Sequence, residues 1–201
     1  AIFLIQKSNI FNTRFISSTL IKNKIGNYWG LLQIDQKNEI RDLLNIIIFS
    51  FKEINNNDNI IHNLIDSLCT ITIFDILDNY PNISDLFNVQ NSSNIKISLI
   101  IISNLLDKID TTDNINDLLR NDLRQYIISD LHEQIFSIIT NYILDQEHSN
   151  YVLVILNCMI HWDSIENIIN FELFQILALQ LLQIENTCEN TIKCFNSLFL
   201  L

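Results

Sequence analysis

The stretch NEIRDLLNIIIFSF, Asn38–Phe51, decides the fold class. Ile40, Leu43, Leu44, Ile47, Ile48 and Phe51 follow the i, i+3, i+4, i+7 spacing of one helix face, not the alternation of a strand. Isoleucine prefers strands and loses rotamer freedom in a helix, but that costs only about 0.4 kcal/mol per residue. Periodicity therefore outweighs propensity, and the segment reads as an amphipathic helix.

The same reading extends along the chain. Leu123, Ile127, Leu131, Ile135, Ile138 and Tyr142 keep a helical stripe for about five turns. Only two glycines, Gly26 and Gly30, and one proline, Pro81, interrupt 201 residues. The breaks fall where polar, turn-forming residues cluster, as at Asn55–Asn59, Asn79–Asn82 and Asp145–Asn150. The spacing predicts helices over 9–28, 35–54, 59–79, 82–88, 95–110, 117–144, 150–161, 164–183 and 187–200.

Helices joined by short turns and recurring in pairs of roughly 40 residues are the signature of a HEAT-like array. The expected fold is all-α, a superhelix or solenoid of antiparallel helix pairs spanning 1–201 as one segment; a compact helical bundle is the alternative. The chain starts at Ala1 and ends in the apolar run FNSLFLL, so it is expected to be a fragment of a longer chain.

Composition narrows the function. The formal net charge of −11 repels phosphate backbones, and lysine and arginine form no patch, which argues against direct nucleic-acid binding. No run of 18 apolar residues exists, so no membrane span is expected. Cys69, Cys158, Cys188 and Cys194 lie in apolar surroundings without framework spacing and read as buried free thiols.

The motifs of catalysis are missing. With two glycines there is no G-x-G-x-x-G, no P-loop and no G-x-S-x-G elbow, so no catalytic residue and no cofactor is expected. The richest stretch is CMIHWDSIEN, Cys158–Asn167. Cys158 and His161 share a helix face, but a metal site would need two further ligands, so none is assigned. Asp163 or Ser164 reads as a helix cap, with Glu166 in the first turn. Lys37, Glu39, Arg41 and Asp42, and likewise Arg120, Asp122 and Arg124, read as polar helix faces. Phe11, Phe15, Phe49, Phe51, Phe136 and Phe174 fall on apolar stripes and are expected in the core.

The order of landmarks carries a resemblance. FNTRFISSTLIKNKIGNYWGLLQIDQKNEIRDLLNIIIFSF has a helix ending in Trp29, a short loop, and a helix opening with Gln36–Arg41. DNYPNISDLF follows, with Pro81 as landmark and Tyr80 where a tryptophan would be expected. Then come SIITNYIL, a helix closing on Trp162, the I-x-x-I-I of Ile165, Ile168 and Ile169, and a cysteine-bearing helix. This order resembles the N-terminal HEAT repeats of the karyopherin, or importin-beta, superfamily, and within it the exportin-1-like receptors.

The resemblance implies a non-enzymatic segment of a nuclear export receptor: the end of one repeat, four whole repeats and the start of a sixth. It implies a Ran-like small GTPase in its GTP form as partner, bound on the second helices of the pairs, which makes Gln36, Lys37, Glu39 and Arg41 the contact candidates. Export cargo and nucleoporins would engage the longer protein, which would shuttle between nucleus and cytoplasm. The family's cargo groove lies beyond this segment, so none of the four cysteines is expected to be its reactive cysteine. Another karyopherin (importin- or transportin-like, or a tRNA exportin) and a HEAT or armadillo scaffold unrelated to transport are the alternatives.

Overall fold

A computed structural model describes residues 1–51, 59–76, 86–89, 92, 94–112, 115–162 and 171–200. Among them there is no strand, and the architecture is all-α, HEAT-like in its helix pairs. The helices are α1 (Ile2–Lys7), α2 (Phe11–Tyr28), α3 (Ile34–Ser50), α4 (Asn59–Asp75), α5 (Ile95–Thr111), α6 (Asp117–Asp130), α7 (His132–Tyr142), α8 (Ser149–Trp162), α9 (Phe171–Leu179) and α10 (Glu185–Leu200). Short 3₁₀ turns follow α2 at Trp29–Leu31 and α9 at Leu181–Gln183.

The chain forms two compact units, the first from parts 1–81 and 93–97, the second from 82–92 and 98–201. In the first, α4 is the central helix. Its sequence is apolar on nearly every side, and Ile60, Ile61, Leu64, Ile65, Leu68, Ile71 and Ile73 are all buried. Each such side chain contributes about 1.5–3 kcal/mol through removal from water.

Helices α2 and α4 run in the same direction. The Asn63 carboxamide donates to Ser18 Oγ and Thr19 Oγ1, both at 3.2 Å, and one turn on Lys22 pairs with Asp66 at 3.2 Å. Ser17 and Ser18 are buried, and their small side chains fit between the two helices. Helix α3 runs opposite to α2: the Arg14 guanidinium lies 5.3 Å from the Phe51 ring centre, while Lys37 Nζ lies 5.6 Å from that of Trp29. The stripe on α3 behaves as its spacing requires, with Leu44, Ile47 and Ile48 buried.

The second unit repeats the parallel stacking. Asn190 donates to Asn150 at 3.4 Å, the Cys194 thiol to the Leu153 carbonyl at 3.4 Å, and Ser197 Oγ to Asn157 Oδ1 at 2.7 Å. These partners are 40 or 41 residues apart, so α8 and α10 hold one register over two turns, at the spacing of one HEAT pair.

Several boundaries differ from the expectation. The helix expected over 117–144 divides at Leu131, whose φ of −119° and ψ of 4° leave helical geometry. Just before the break, Ser129 Oγ bonds to Asp130 Oδ2 and to the Tyr126 carbonyl, local bonds that compete with the helical ladder. The expected 9–28 helix starts at Phe11, and a further helix, α1, precedes it. Phe11 and Phe15, expected in the core, are 59% and 37% exposed, stacked on each other along α2. The expected helix over 82–88 falls largely outside the described residues, as do Pro81 and the cap candidates Asp163 and Ser164.

Candidate functional site

In the first unit the polar residues converge at one place. Trp29, at the end of α2, is 2% exposed, so its indole N–H needs an acceptor inside the protein. That acceptor is Asp75, at the end of α4, reached at 2.9 Å. Asp75 is itself 5% exposed and needs cations of its own. Arg41 Nη2 supplies one at 2.6 Å and Lys37 Nζ a second at 3.3 Å. Arg41 Nη1 also donates to Asn38 Oδ1 at 2.8 Å.

The start of α3 is built to hold this arrangement. The Gln33 backbone N–H donates to Gln36 Oε1 at 3.1 Å, half of a capping box, and Asp35 places a negative charge on the first turn. The resemblance names four contact residues here. The structure places Gln36 and Glu39 on the surface, Lys37 half-buried at the rim, and Arg41 inside. Arg41 faces Asp75 from inside the protein.

The second unit has a cluster of the same chemistry. Trp162, at the end of α8, donates its indole N–H to Asp110, with Oδ1 at 2.9 Å and Oδ2 at 3.0 Å. Arg124 grips the same Oδ1 through Nε at 3.0 Å and Nη2 at 2.5 Å, and its guanidinium lies 5.8 Å from the Trp162 ring centre. In both units, then, a tryptophan and an aspartate from the ends of two helices meet, and an arginine from a helix between them in sequence completes the group. Sequence reading found both tryptophans and Arg41 but neither aspartate. Helical spacing alone puts Arg124 on a polar face; in the structure its side chain is 28% exposed and ion-paired.

Around this second cluster, partial loss of solvent, then the charge of Asp110, raise the pKa of the exposed Asp107 from its ordinary value, against the opposing pull of Lys193. Burial likewise pushes the Cys158 thiol far up, with Asp110 and Asp107 adding to it. Cys194 is pushed up to about 12 by burial. Neither is placed to act as a thiolate nucleophile. His161 Nε2 lies 2.9 Å from Ser197 Oγ, but Ser197 is buried, so no substrate reaches the hydroxyl. Among the described residues, no three His, Cys, Asp or Glu side chains are placed to hold a metal, and no helix is long and apolar enough to cross a membrane.

The N-terminal helices α1, α2 and α3, with Trp29 closing the second and Lys37 and Arg41 opening the third, are the part of the chain that a family model recognises. Residues 1–50 match the importin-beta N-terminal domain. The importin-beta match takes in the tryptophan, the lysine and the arginine of the first cluster, and points to a transport receptor of the importin-beta kind. Receptors of that kind are generally non-catalytic. Among curated proteins, none matches the chain.

Proposed function

We propose that this chain is the N-terminal HEAT-repeat region of an exportin-1-like nuclear export receptor. In this reading it is a binding scaffold for a Ran-like GTPase in its GTP form and performs no catalysis. The observation that carries the reading is the importin-beta N-terminal match over residues 1–50, which takes in Trp29, Lys37 and Arg41 of the first cluster. Gln36, Lys37 and Glu39, on the second helix of a pair, are the contact residues of this reading, and Arg41 holds their helix in place from inside. Cargo and nucleoporins are engaged by the longer receptor, which shuttles between nucleus and cytoplasm.

The matched domain belongs to the importin-beta group at large, which favours another karyopherin as the second reading. Capture on immobilised Ran loaded with GTP or GDP tests the receptor reading. Retention by the GTP form alone supports it; equal retention by both forms, or none, overturns it. Export direction is tested separately on the longer receptor, which carries the cargo groove, by asking whether added leucine-rich signal peptide strengthens its retention, as an export receptor requires, or leaves it unchanged.

A further inference from the structure

The two tryptophan–aspartate–arginine clusters differ in burial and in their cations. Asp110 is satisfied by Trp162 and Arg124. Asp75 has the equivalent pair, Trp29 and Arg41, and a lysine as well. Lys37 is thus an addition to the tryptophan and arginine that both clusters share. It leaves the first cluster with one net positive charge, and that charge lies at the rim.

Lys37 is also unusual for a lysine in being held. Its ammonium is 3.3 Å from Asp75 Oδ1 and 5.6 Å from the centre of the Trp29 ring, and its side chain is 19% exposed. A lysine on a solvated face samples many rotamers and loses that freedom when it binds. Here the freedom is already gone before any partner arrives. The neighbouring exposed side chains Asp35, Gln36 and Glu39 are acidic or neutral, and Arg41 faces inward, so Lys37 is the cation that the first two turns of α3 present.

We propose that Lys37 is a pre-positioned contact for a carboxylate on the GTPase partner, and that Asp75 and Trp29 are the residues that position it. The inference rests on the receptor reading above. Lys37 supplies a charge-assisted hydrogen bond to the partner's carboxylate, and Asp75 and Trp29 act through Lys37 by fixing its direction.

A double-mutant cycle on GTP-form Ran tests this. Lys37→Met keeps the apolar stem and removes the charge; it lowers affinity about tenfold, the worth of one charge-assisted hydrogen bond, and flattens the dependence on ionic strength. Asp75→Asn still accepts the indole N–H and lowers affinity two- to tenfold, the factor for re-ordering one long side chain. In the Lys37→Met background, Asp75→Asn has no further effect on affinity. Affinities are compared below the melting temperatures of all variants, and Asp75→Glu, which restores the charge, regains part of the loss. Additive effects, or wild-type affinity and salt dependence in Lys37→Met, overturn the inference while leaving the receptor reading standing. Failure of the wild-type chain to prefer the GTP form overturns the receptor reading itself, and this inference with it.

Discussion

Trp29 and Asp75 stand 46 residues apart and are joined by an indole-to-carboxylate hydrogen bond of 2.9 Å. The bond ties the end of α2 to the end of α4, two helices that run side by side in one direction. It is the polar end of an interface that is otherwise apolar. Trp29→Phe keeps most of the ring's packing and removes the donor, leaving a buried carboxylate with one partner fewer. The expected loss is about 1–3 kcal/mol in chemical denaturation. An unchanged midpoint would show that the hydrogen bond contributes nothing to stability.

Arg41 is the strongest cationic partner of Asp75, at 2.6 Å, and both are nearly out of water. Arg41→Ala leaves the buried carboxylate with only the rim lysine, and removing one side of a buried pair costs about 3–5 kcal/mol. Removing both charges together, in Arg41→Met with Asp75→Asn, is expected to recover much of that loss. If the double variant is no more stable than Arg41→Ala, packing and not charge accounts for the effect.

How much of this was legible in the sequence depends on whether the signal was local. The α3 stripe was, because Leu44, Ile47 and Ile48 sit at helical spacing and are buried. The burial of Arg41 has a local signal too, since it stands three residues before Leu44 and seven before Ile48, on the same face; the polar-face reading overlooks that spacing, and the contact assignment rests on the family resemblance alone. Asp75 was not legible. Nothing near it in sequence marks it as an acceptor, and its donors lie 34 to 46 residues away. The division at Leu131 was hidden because apolar spacing continues through it while only local side-chain bonds interrupt the backbone. Phe11 and Phe15 show the converse: periodicity gives a face but not what covers it.

The two tryptophans report on the two clusters separately. Trp29 is buried, whereas Trp162 is half-buried beside the partly exposed Asp110–Arg124 pair. Acrylamide quenching of the native protein is expected to resolve a protected and an accessible class, with Trp162→Phe removing the accessible one. Trp29→Ala is expected to cost about 3–5 kcal/mol and Trp162→Ala clearly less, since less of its surface is withdrawn from water. Equal quenching of both indoles contradicts this difference in burial.

Asp107 gives a pH dependence of definite sign. Partial loss of solvent, and then the charge of Asp110, raise its pKa in the folded state above the unfolded value, so folding disfavours its ionised form. Its contribution to stability is therefore unfavourable at neutral pH, and that penalty is relieved as pH falls through the raised pKa. Asp107→Asn is expected to raise stability modestly at neutral pH, with the gain disappearing in acid, where the native aspartate is itself protonated. Denaturation curves at pH 7 and pH 3 check the sign; a gain that persists undiminished at pH 3 points to packing instead.

The four cysteines are expected to separate by access. Cys69, Cys158 and Cys194 are buried, and burial pushes the Cys158 and Cys194 thiols up, so at pH 8 they carry almost no thiolate and no reagent reaches them. Cys188, in the first turn of α10, is only half-buried. An aromatic disulfide reagent is therefore expected to label Cys188 first in the folded protein, and the other three only at the rate of unfolding. Cys188→Ser removes the fast phase. Rapid labelling of a second thiol in that variant would place α8, α10 or α4 in an opened state under native conditions, because each of the remaining cysteines lies within one of those helices.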